Sequence, residues 1–189
     1  MNTTHESDEW LMGQVAAGDR DCLETLMRRY ASPLLTFLHR MLGDRHRAEE
    51  LFQEVFLAVW TKRKTYKLPR AFRFWLYAIA ANRCRADFRK AKLPSVGGAS
   101  PGGADAVSAE SEPADVAVAG ETADIVDVAV KRLPTNQRTV VVLRIWNQLS
   151  FAEIASTMSL QEGTVRSHMH HGLASLRRSL EPQLKVLES

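Results

Sequence analysis

A polar helix face near the end of the chain carries side chains suited to contacting DNA bases. The stretch from about Glu162 to Leu180 has helical periodicity, and opposite its apolar stripe lie Arg166, Ser167, His170 and His171. Arginine can donate two parallel hydrogen bonds to guanine, and serine or neutral histidine can bond to base edges or phosphate. The residues predicted to pack inward are Val165, Met169, Leu173, Leu176 and Leu180. The pattern indicates a DNA-contacting helix, and a plain three-helix bundle remains the alternative.

A second set of residues, in the first half of the chain, combines aromatic rings with positive charges. Its members are Trp60, Lys62, Arg63, Lys64, Tyr66, Lys67, Arg70, Phe72, Arg73, Trp75 and Tyr77. Rings among cations provide stacking platforms within a positive groove, as is needed to hold unstacked bases. We expect Phe72 and Trp75 to be buried and Tyr66 to be exposed. The set predicts a nucleic-acid surface without indicating which kind.

Between these two features, the charge changes sign sharply along the chain. The net charge is +3, but seven acids and no Lys or Arg lie between Leu93 and Val130, so the remainder carries +10. From Thr61 to Lys92 there are eleven Lys or Arg residues and one acid, Asp87. Such a one-sign stretch is typical of a surface that binds a polyanion, and a solvated helix face is the ordinary alternative.

An acidic and amide-rich helix face precedes the basic stretch. Opposite the apolar residues of the helix that follows Asp44 lie Glu49, Glu50, Gln53 and Glu54. These side chains suit a basic partner helix, although solvated surfaces often have the same composition.

Metal binding and catalysis are not indicated by any residue pattern. Only His168 and His171 of the histidine cluster could share a helix face, and no carboxylate or thiolate nearby completes a site. Cys22 and Cys84 have no CxxC spacing, which favours free thiols in a reducing cytoplasm. Phosphate-binding loops, serine-hydrolase elbows and paired carboxylates are missing, so we expect no enzyme and no cofactor.

The elements that must position these residues are helices in two groups. The stretch 93–120 is rich in Gly, Pro, Ala and acids and predicts a flexible linker between modules 1–92 and 121–189. In the first module, Ser7, Asp19 and Asp44 are predicted N-caps, and Pro33 is expected to kink or restart the second helix.

The second module contains a predicted helix-turn-helix. A capping box at Ser150 and Glu153 starts its first helix, and a short turn leads to the polar helix described above, which is expected to end before Pro182. The sequence therefore predicts an all-α protein of two small helical bundles joined by a flexible acidic linker. No apolar run is long enough to cross a bilayer, so membrane insertion is not expected.

Several of these segments together resemble one known family. Residues 48–60, AEELFQEVFLAVW, resemble the core-binding helix of region two in extracytoplasmic-function sigma factors, and residues 72–83, FRFWLYAIAANR, resemble the promoter-melting helix that follows. In the second module, LPTNQR at 133–138, LSFAEIA at 149–155 and GTVRS at 163–167 are similar to region four. The resemblance covers nearly the whole chain except the linker.

The resemblance implies a function and a set of contacts. The chain would be an alternative sigma factor, a cytoplasmic protein that binds core RNA polymerase and directs promoter-specific transcription initiation. Glu50, Gln53 and Glu54 would dock on the largest polymerase subunits. Promoter DNA would contact Tyr66, Lys67, Arg70, Arg73, Asn82, Arg166, Ser167, His170 and His171. An anti-sigma factor is an expected partner.

Two short segments depart from the family pattern. Leu68 and Pro69 stand where the base-capturing loop usually carries Gly-Asp, and His170 and His171 replace what is commonly an aromatic or aliphatic residue and an arginine. The promoter sequence is therefore left open. A helix-turn-helix regulator that does not bind polymerase core is the alternative function.

Overall fold

The fold is built from helices in both halves of the chain. The structure, a computed structural model, describes residues 6–92 and 125–187. The helices of the first module are α1 (Asp8–Ala17), α2 (Arg20–Leu42), α3 (Arg45–Lys62), a 3-10 turn (Arg63–Thr65) and α4 (Phe72–Lys92). Those of the second module are α5 (125–131), α6 (Thr135–Ile145), α7 (Phe151–Met158) and α8 (Glu162–Leu187). No strand occurs among the described residues, and the all-α prediction is confirmed.

Local capping chemistry sets the helix starts in the first module. The side chains of Ser7, Asp19 and Asp44 each accept a backbone N–H from the first turn of α1, α2 and α3, respectively. Gly18 and Gly43 end α1 and α2 in the left-handed region, with φ of 110° and 77°. The predicted starts are therefore confirmed.

Two prolines lie inside long helices, and one of them contradicts a prediction. Pro33 lies inside α2, which runs without interruption from Arg20 to Leu42. Pro182 lies inside α8, so the prediction that this helix ends before it is wrong. A proline removes one backbone donor and crowds one carbonyl, and in both long helices the turns on either side keep their own bonds.

The helix-turn-helix forms around the predicted capping box. Ser150 Oγ accepts the N–H of Glu153 at 3.3 Å, and Glu153 Oε2 accepts the N–H of Ser150 at 2.6 Å. Leu149 and Ile154 are both fully buried on either side of this start. α7 ends at Ser159, which adopts φ of 55°, and α8 begins three residues later.

The two modules pack against each other, an arrangement that the linker alone did not indicate. α6 lies against α2, and α7 lies against α4. Asn147, in the turn after α6, donates from Nδ2 to Tyr77 Oη at 2.7 Å and to the carbonyl of Pro33 at 3.1 Å. Arg138 of α6 donates to the carbonyl of Met41 at 2.6 Å. The buried apolar residues of both modules form one continuous cluster.

Charged and aromatic side chains strengthen the contact between modules. The guanidinium of Arg40 pairs with Asp127 and lies 4.0 Å from the centre of the Trp146 ring. The predicted linker, 93–120, falls outside the described residues. No helix in the described part of the chain has the length and apolarity needed to span a membrane.

Candidate nucleic-acid interface

The outer face of α8 presents the four side chains predicted to contact bases. Arg166, Ser167, His170 and His171 are all exposed. Arg166 Nε donates to Glu162 one turn earlier at 3.1 Å, and its guanidinium lies 4.6 Å from the ring centre of Phe151. The arginine is therefore held near the start of α8, next to the N-terminus of α7.

The opposite side of α8 fixes the orientation of that face. Val165 is fully buried, and Gly172 lies so close to α6 that an added Cβ would stand 2.8 Å from Cγ2 of Val141. Leu173 was expected to pack inward, but it is 44% exposed. The close approach at Gly172 turns the neighbouring position outward, so the prediction for Leu173 is wrong.

The histidines of α8 do not form a ligand cluster. His168 is half-buried, whereas His170 and His171 are exposed with ring centres 5.6 Å apart. Among the residues that the structure describes, no three His, Cys, Asp or Glu side chains are grouped as a metal ion requires.

The aromatic and basic set of the first module is more buried than predicted. Phe72 and Trp75 are buried, as expected. Tyr66 is only half-exposed, because its ring packs 5.3 Å from Trp75 and 6.4 Å from Phe72, between centres. Its hydroxyl donates to the carbonyl of Arg70, and burial raises the pKa of Tyr66 to about 12. The expectation of an exposed ring is therefore wrong.

The remaining predicted DNA contacts of this module lie in two places. Lys67 and Arg70 are exposed in the loop before α4. Arg73, on the first turn of α4, donates to the carbonyl of Asn147 and so touches the second module. Asn82 is exposed and lines a cleft of about 480 Å³ between α4 and α6. The other residues of the cleft are Arg85, Phe88, Arg89, Thr135 and Asn136.

The acidic face of α3 borders an apolar groove that sequence reasoning missed. Gln53 is exposed at the edge of a groove of about 360 Å³ between α2 and α3. The other lining residues are Arg20, Leu23, Met27, Phe56, Leu57 and Trp60. Leu57 is 65% exposed there, one turn after Gln53 on the same face of α3. In the sequence, this groove was indicated by the position of Leu57, an apolar residue on the polar face of α3.

Two of the three glutamates of this face, Glu50 and Glu54, are engaged in an ion network around Arg47. Arg47 Nη1 donates to Glu50 at 2.8 Å and to Glu54 at 3.2 Å. Its Nε and Nη2 donate to Asp87 of α4 at 3.0 and 2.5 Å. The bonds to Asp87 and then Glu50 raise the pKa of Arg47 above its usual range. Arg83 of α4 adds a contact of 3.5 Å to Glu54.

Comparison with known proteins gives the family. Residues 26–93 match the family described as Sigma-70 region 2, and residues 123–176 match Sigma-70, region 4. The chain is 30% identical over 174 residues to the ECF RNA polymerase sigma factor SigW of Bacillus subtilis, which covers 88% of this chain and 93% of that relative. The chain belongs to the ECF sigma factors.

A further relative agrees with this assignment, and two solved structures have a similar fold. The sigma factor is 26% identical to the RNA polymerase sigma-H factor of Pseudomonas aeruginosa, over 96% of this chain and 98% of that one. The fold is similar to that of CnrH in complex with the cytosolic domain of CnrY, with a TM-score of 0.70, 21% identity and coverage of 94% and 99%. It is also similar to RpoE in complex with the anti-sigma factor NepR from Bartonella quintana, with a TM-score of 0.66, 17% identity and coverage of 84% and 96%.

The family establishes the general function. The sigma factor binds RNA polymerase core and promoter DNA and directs transcription initiation, so the predicted function is confirmed. Sigma factors are non-enzymatic initiation factors. The alternative function, a helix-turn-helix regulator that does not bind polymerase core, is therefore not supported.

Proposed function

We propose that this sigma factor uses three separate surfaces, carried by α3, by α4 with the loop before it, and by α8. Module 1–92 docks on core polymerase and contacts the downstream promoter element, 93–120 is a tether, and module 121–189 contacts the upstream element. The supporting observation is that α8 buries one side against α6 and leaves Arg166, Ser167, His170 and His171 exposed together on the other.

The upstream contact is assigned to the exposed face of α8. The ion pair between Arg166 and Glu162 is an exposed i,i+4 contact that contributes little to stability. Arg166 can therefore leave Glu162 and donate two hydrogen bonds to guanine. Ser167, His170 and His171 add further hydrogen-bonding groups along the same face. The stacking of Arg166 on Phe151 keeps the guanidinium near the N-terminus of α7 while the exchange takes place.

The downstream contact is assigned to the loop before α4 and to α4 itself. Lys67 and Arg70 are free to approach phosphates, and Asn82 is exposed further along α4. Tyr66 must leave its packing against Trp75 to stack on a base, and Arg73 must release the carbonyl of Asn147. Downstream binding therefore requires a rearrangement at both of these residues.

Core docking is assigned to the outer face of α3. Glu50, Gln53 and Glu54 supply charge and hydrogen bonds, and the apolar groove beside Gln53 supplies a place for apolar side chains. A polar rim around exposed apolar surface is the usual composition of a protein interface. A basic amphipathic helix of the largest subunits fits this combination.

The partners and location follow from the same assignment. We infer that the protein works in the cytoplasm, where core polymerase is present, and that an anti-sigma factor controls it. The two similar structures, CnrH in complex with the cytosolic domain of CnrY and RpoE in complex with the anti-sigma factor NepR, support the second inference.

Reconstitution with purified core polymerase tests the upstream assignment. Arg166→Ala is expected to lose about 1–3 kcal/mol of binding to the upstream element while core binding is retained. Arg178→Ala, which removes an exposed arginine from another part of α8, is the control. If holoenzyme with Arg166→Ala binds every promoter as before, α8 does not contact the bases.

A second experiment tests the core-docking face. Combined replacement of Gln53 and Glu54 by Ala is expected to weaken co-elution with core polymerase while circular dichroism shows an unchanged helix content. Unchanged affinity for core would assign docking to another surface.

A further inference from the structure

The carboxylate of Glu54 is shared between two arginines on different helices. Its Oε1 accepts from Arg47 of α3 at 3.2 Å, and its Oε2 lies 3.5 Å from Nη1 of Arg83 of α4. Arg83 directly follows Asn82, one of the residues proposed to contact promoter DNA. One exposed acid of the core-docking face therefore holds a cation of the DNA-contacting helix.

We propose that Arg83 is a further promoter-contacting residue, restrained by Glu54 in the free protein and released for DNA phosphate when a basic group of core polymerase takes the Glu54 carboxylate. The inference rests on the proposed docking of core on α3. It adds a residue to the DNA surface and predicts that core binding favours promoter binding.

The geometry identifies Glu54–Arg83 as the pair that exchanges. It is the longest contact of the network, and both side chains are substantially exposed, 38% for Glu54 and 44% for Arg83. The contact between Arg47 and Asp87 is shorter, 2.5 Å, and less exposed, at 29% and 23%. Because Arg47 keeps Asp87, α3 and α4 stay joined while Glu54 changes partner.

The size of the effect follows from the exposure of the pair. Exposed ion pairs are weak, so a polymerase cation can compete for Glu54, and loss of the pair changes an affinity by about two- to fivefold. A released arginine reaches phosphate on a long side chain, and its planar guanidinium matches the geometry of phosphate oxygens. Each phosphate contact adds about one unit to the salt dependence of binding.

The alternative is that Glu54–Arg83 only stabilises the packing of α4 on α3. In that case removal of Arg83 would leave core affinity unchanged or weaken it. The proposal requires the opposite, because removal of Arg83 frees Glu54 Oε2 for the polymerase cation while Arg47 keeps its contact with Oε1. The sign of the change in core affinity therefore separates the two explanations.

The experiment measures core affinity and promoter binding for Arg83→Gln in the full chain. We expect core affinity to rise about two- to fivefold and the salt slope of holoenzyme binding to promoter DNA to fall by about one. In a Glu54→Gln background, Arg83→Gln is expected to leave core affinity unchanged. Arg178→Gln, which makes the same change in net charge on α8, is the control for both measurements.

Two further results make the test decisive. Arg83→Lys is expected to retain the salt slope, because the positive charge remains, and this variant serves if Arg83→Gln folds poorly. Unchanged or weaker core affinity for Arg83→Gln, or an unchanged salt slope, would overturn the proposal. If Glu54→Gln and Gln53→Ala also leave core affinity unchanged, the docking face itself is assigned wrongly, which is a separate failure.

Discussion

Asn147 provides a direct test of whether the two modules are packed together in solution. It is 4% exposed, and its Nδ2 donates to Tyr77 Oη and to the carbonyl of Pro33, both in the first module. The hydroxyl of Tyr77 is itself buried, and burial raises the pKa of this residue to about 12. Asn147→Ala removes the donor and leaves both acceptors inside the interface.

The expected loss of stability depends on the two acceptors that lose their donor and on one buried oxygen that the substitution removes. A buried polar group that loses its partner costs about 1–3 kcal/mol. Tyr77 bears most of this cost, because the carbonyl of Pro33 lies within α2 and can keep a helical bond. Asn147 Oδ1 is buried with no partner among the described residues. Removing this oxygen is itself stabilising and offsets part of the loss. We expect a net loss of about 1–2 kcal/mol in the free energy of unfolding.

Urea unfolding followed by circular dichroism measures this loss. Asn136→Ala, an exposed asparagine of α6, is the control and is expected to change the free energy by less than about 0.5 kcal/mol. In a Tyr77→Phe background, Asn147→Ala is expected to cost less, because the main acceptor is already gone. If Asn147→Ala matches Asn136→Ala, the modules are not packed through this residue in solution, and the reasoning from buried partners is refuted.

Two further outcomes are expected in the second module. Gly172→Ala should lower the free energy of unfolding in urea by about 1–3 kcal/mol, because the new Cβ would stand 2.8 Å from Val141. Gly163→Ala, with nothing within 4 Å of its Cβ, should raise it by about 0.5–1 kcal/mol, and equal effects at the two glycines would contradict the packing. The backbone N–H of Ser150 lowers the pKa of Glu153, so this carboxylate stabilises the fold above its unfolded pKa and stops doing so as the pH falls through its folded pKa. The melting temperature of Glu153→Gln should therefore fall less on acidification than that of the wild type. An unchanged dependence of the melting temperature on acidic pH would contradict this role of Glu153.

Local sequence patterns were sufficient to predict the helices and the helix-turn-helix. The cap at Ser7, the left-handed end at Gly18 and the capping box at Ser150 each depend on residues within one turn. The exposure of Arg166 and His170 follows in the same way, since helical periodicity separates the two sides of α8. Interactions of this range are visible in a single sequence.

The packing between modules was not predictable, because it joins residues far apart in the chain. Asn147 meets Tyr77 across 70 positions, and Arg138 meets Met41 across 97. Tyr66 was expected to be exposed because it lies in a basic loop, yet the side chain of Trp75 covers it. The network at Arg47 also depends on how α4 crosses α3, which charge pattern alone does not give.

The division of α8 into a packed side and an exposed side has an evolutionary consequence. Since the residues that hold the helix, such as Val165 and Gly172, are separate from those that face outward, such as Arg166 and His170, the outward set can vary without loss of the fold. Duplicated genes can therefore acquire new regulons through a few surface substitutions. For the same reason, exchanging the outward residues of α8 is a suitable way to engineer sigma factors that each recognise a different promoter.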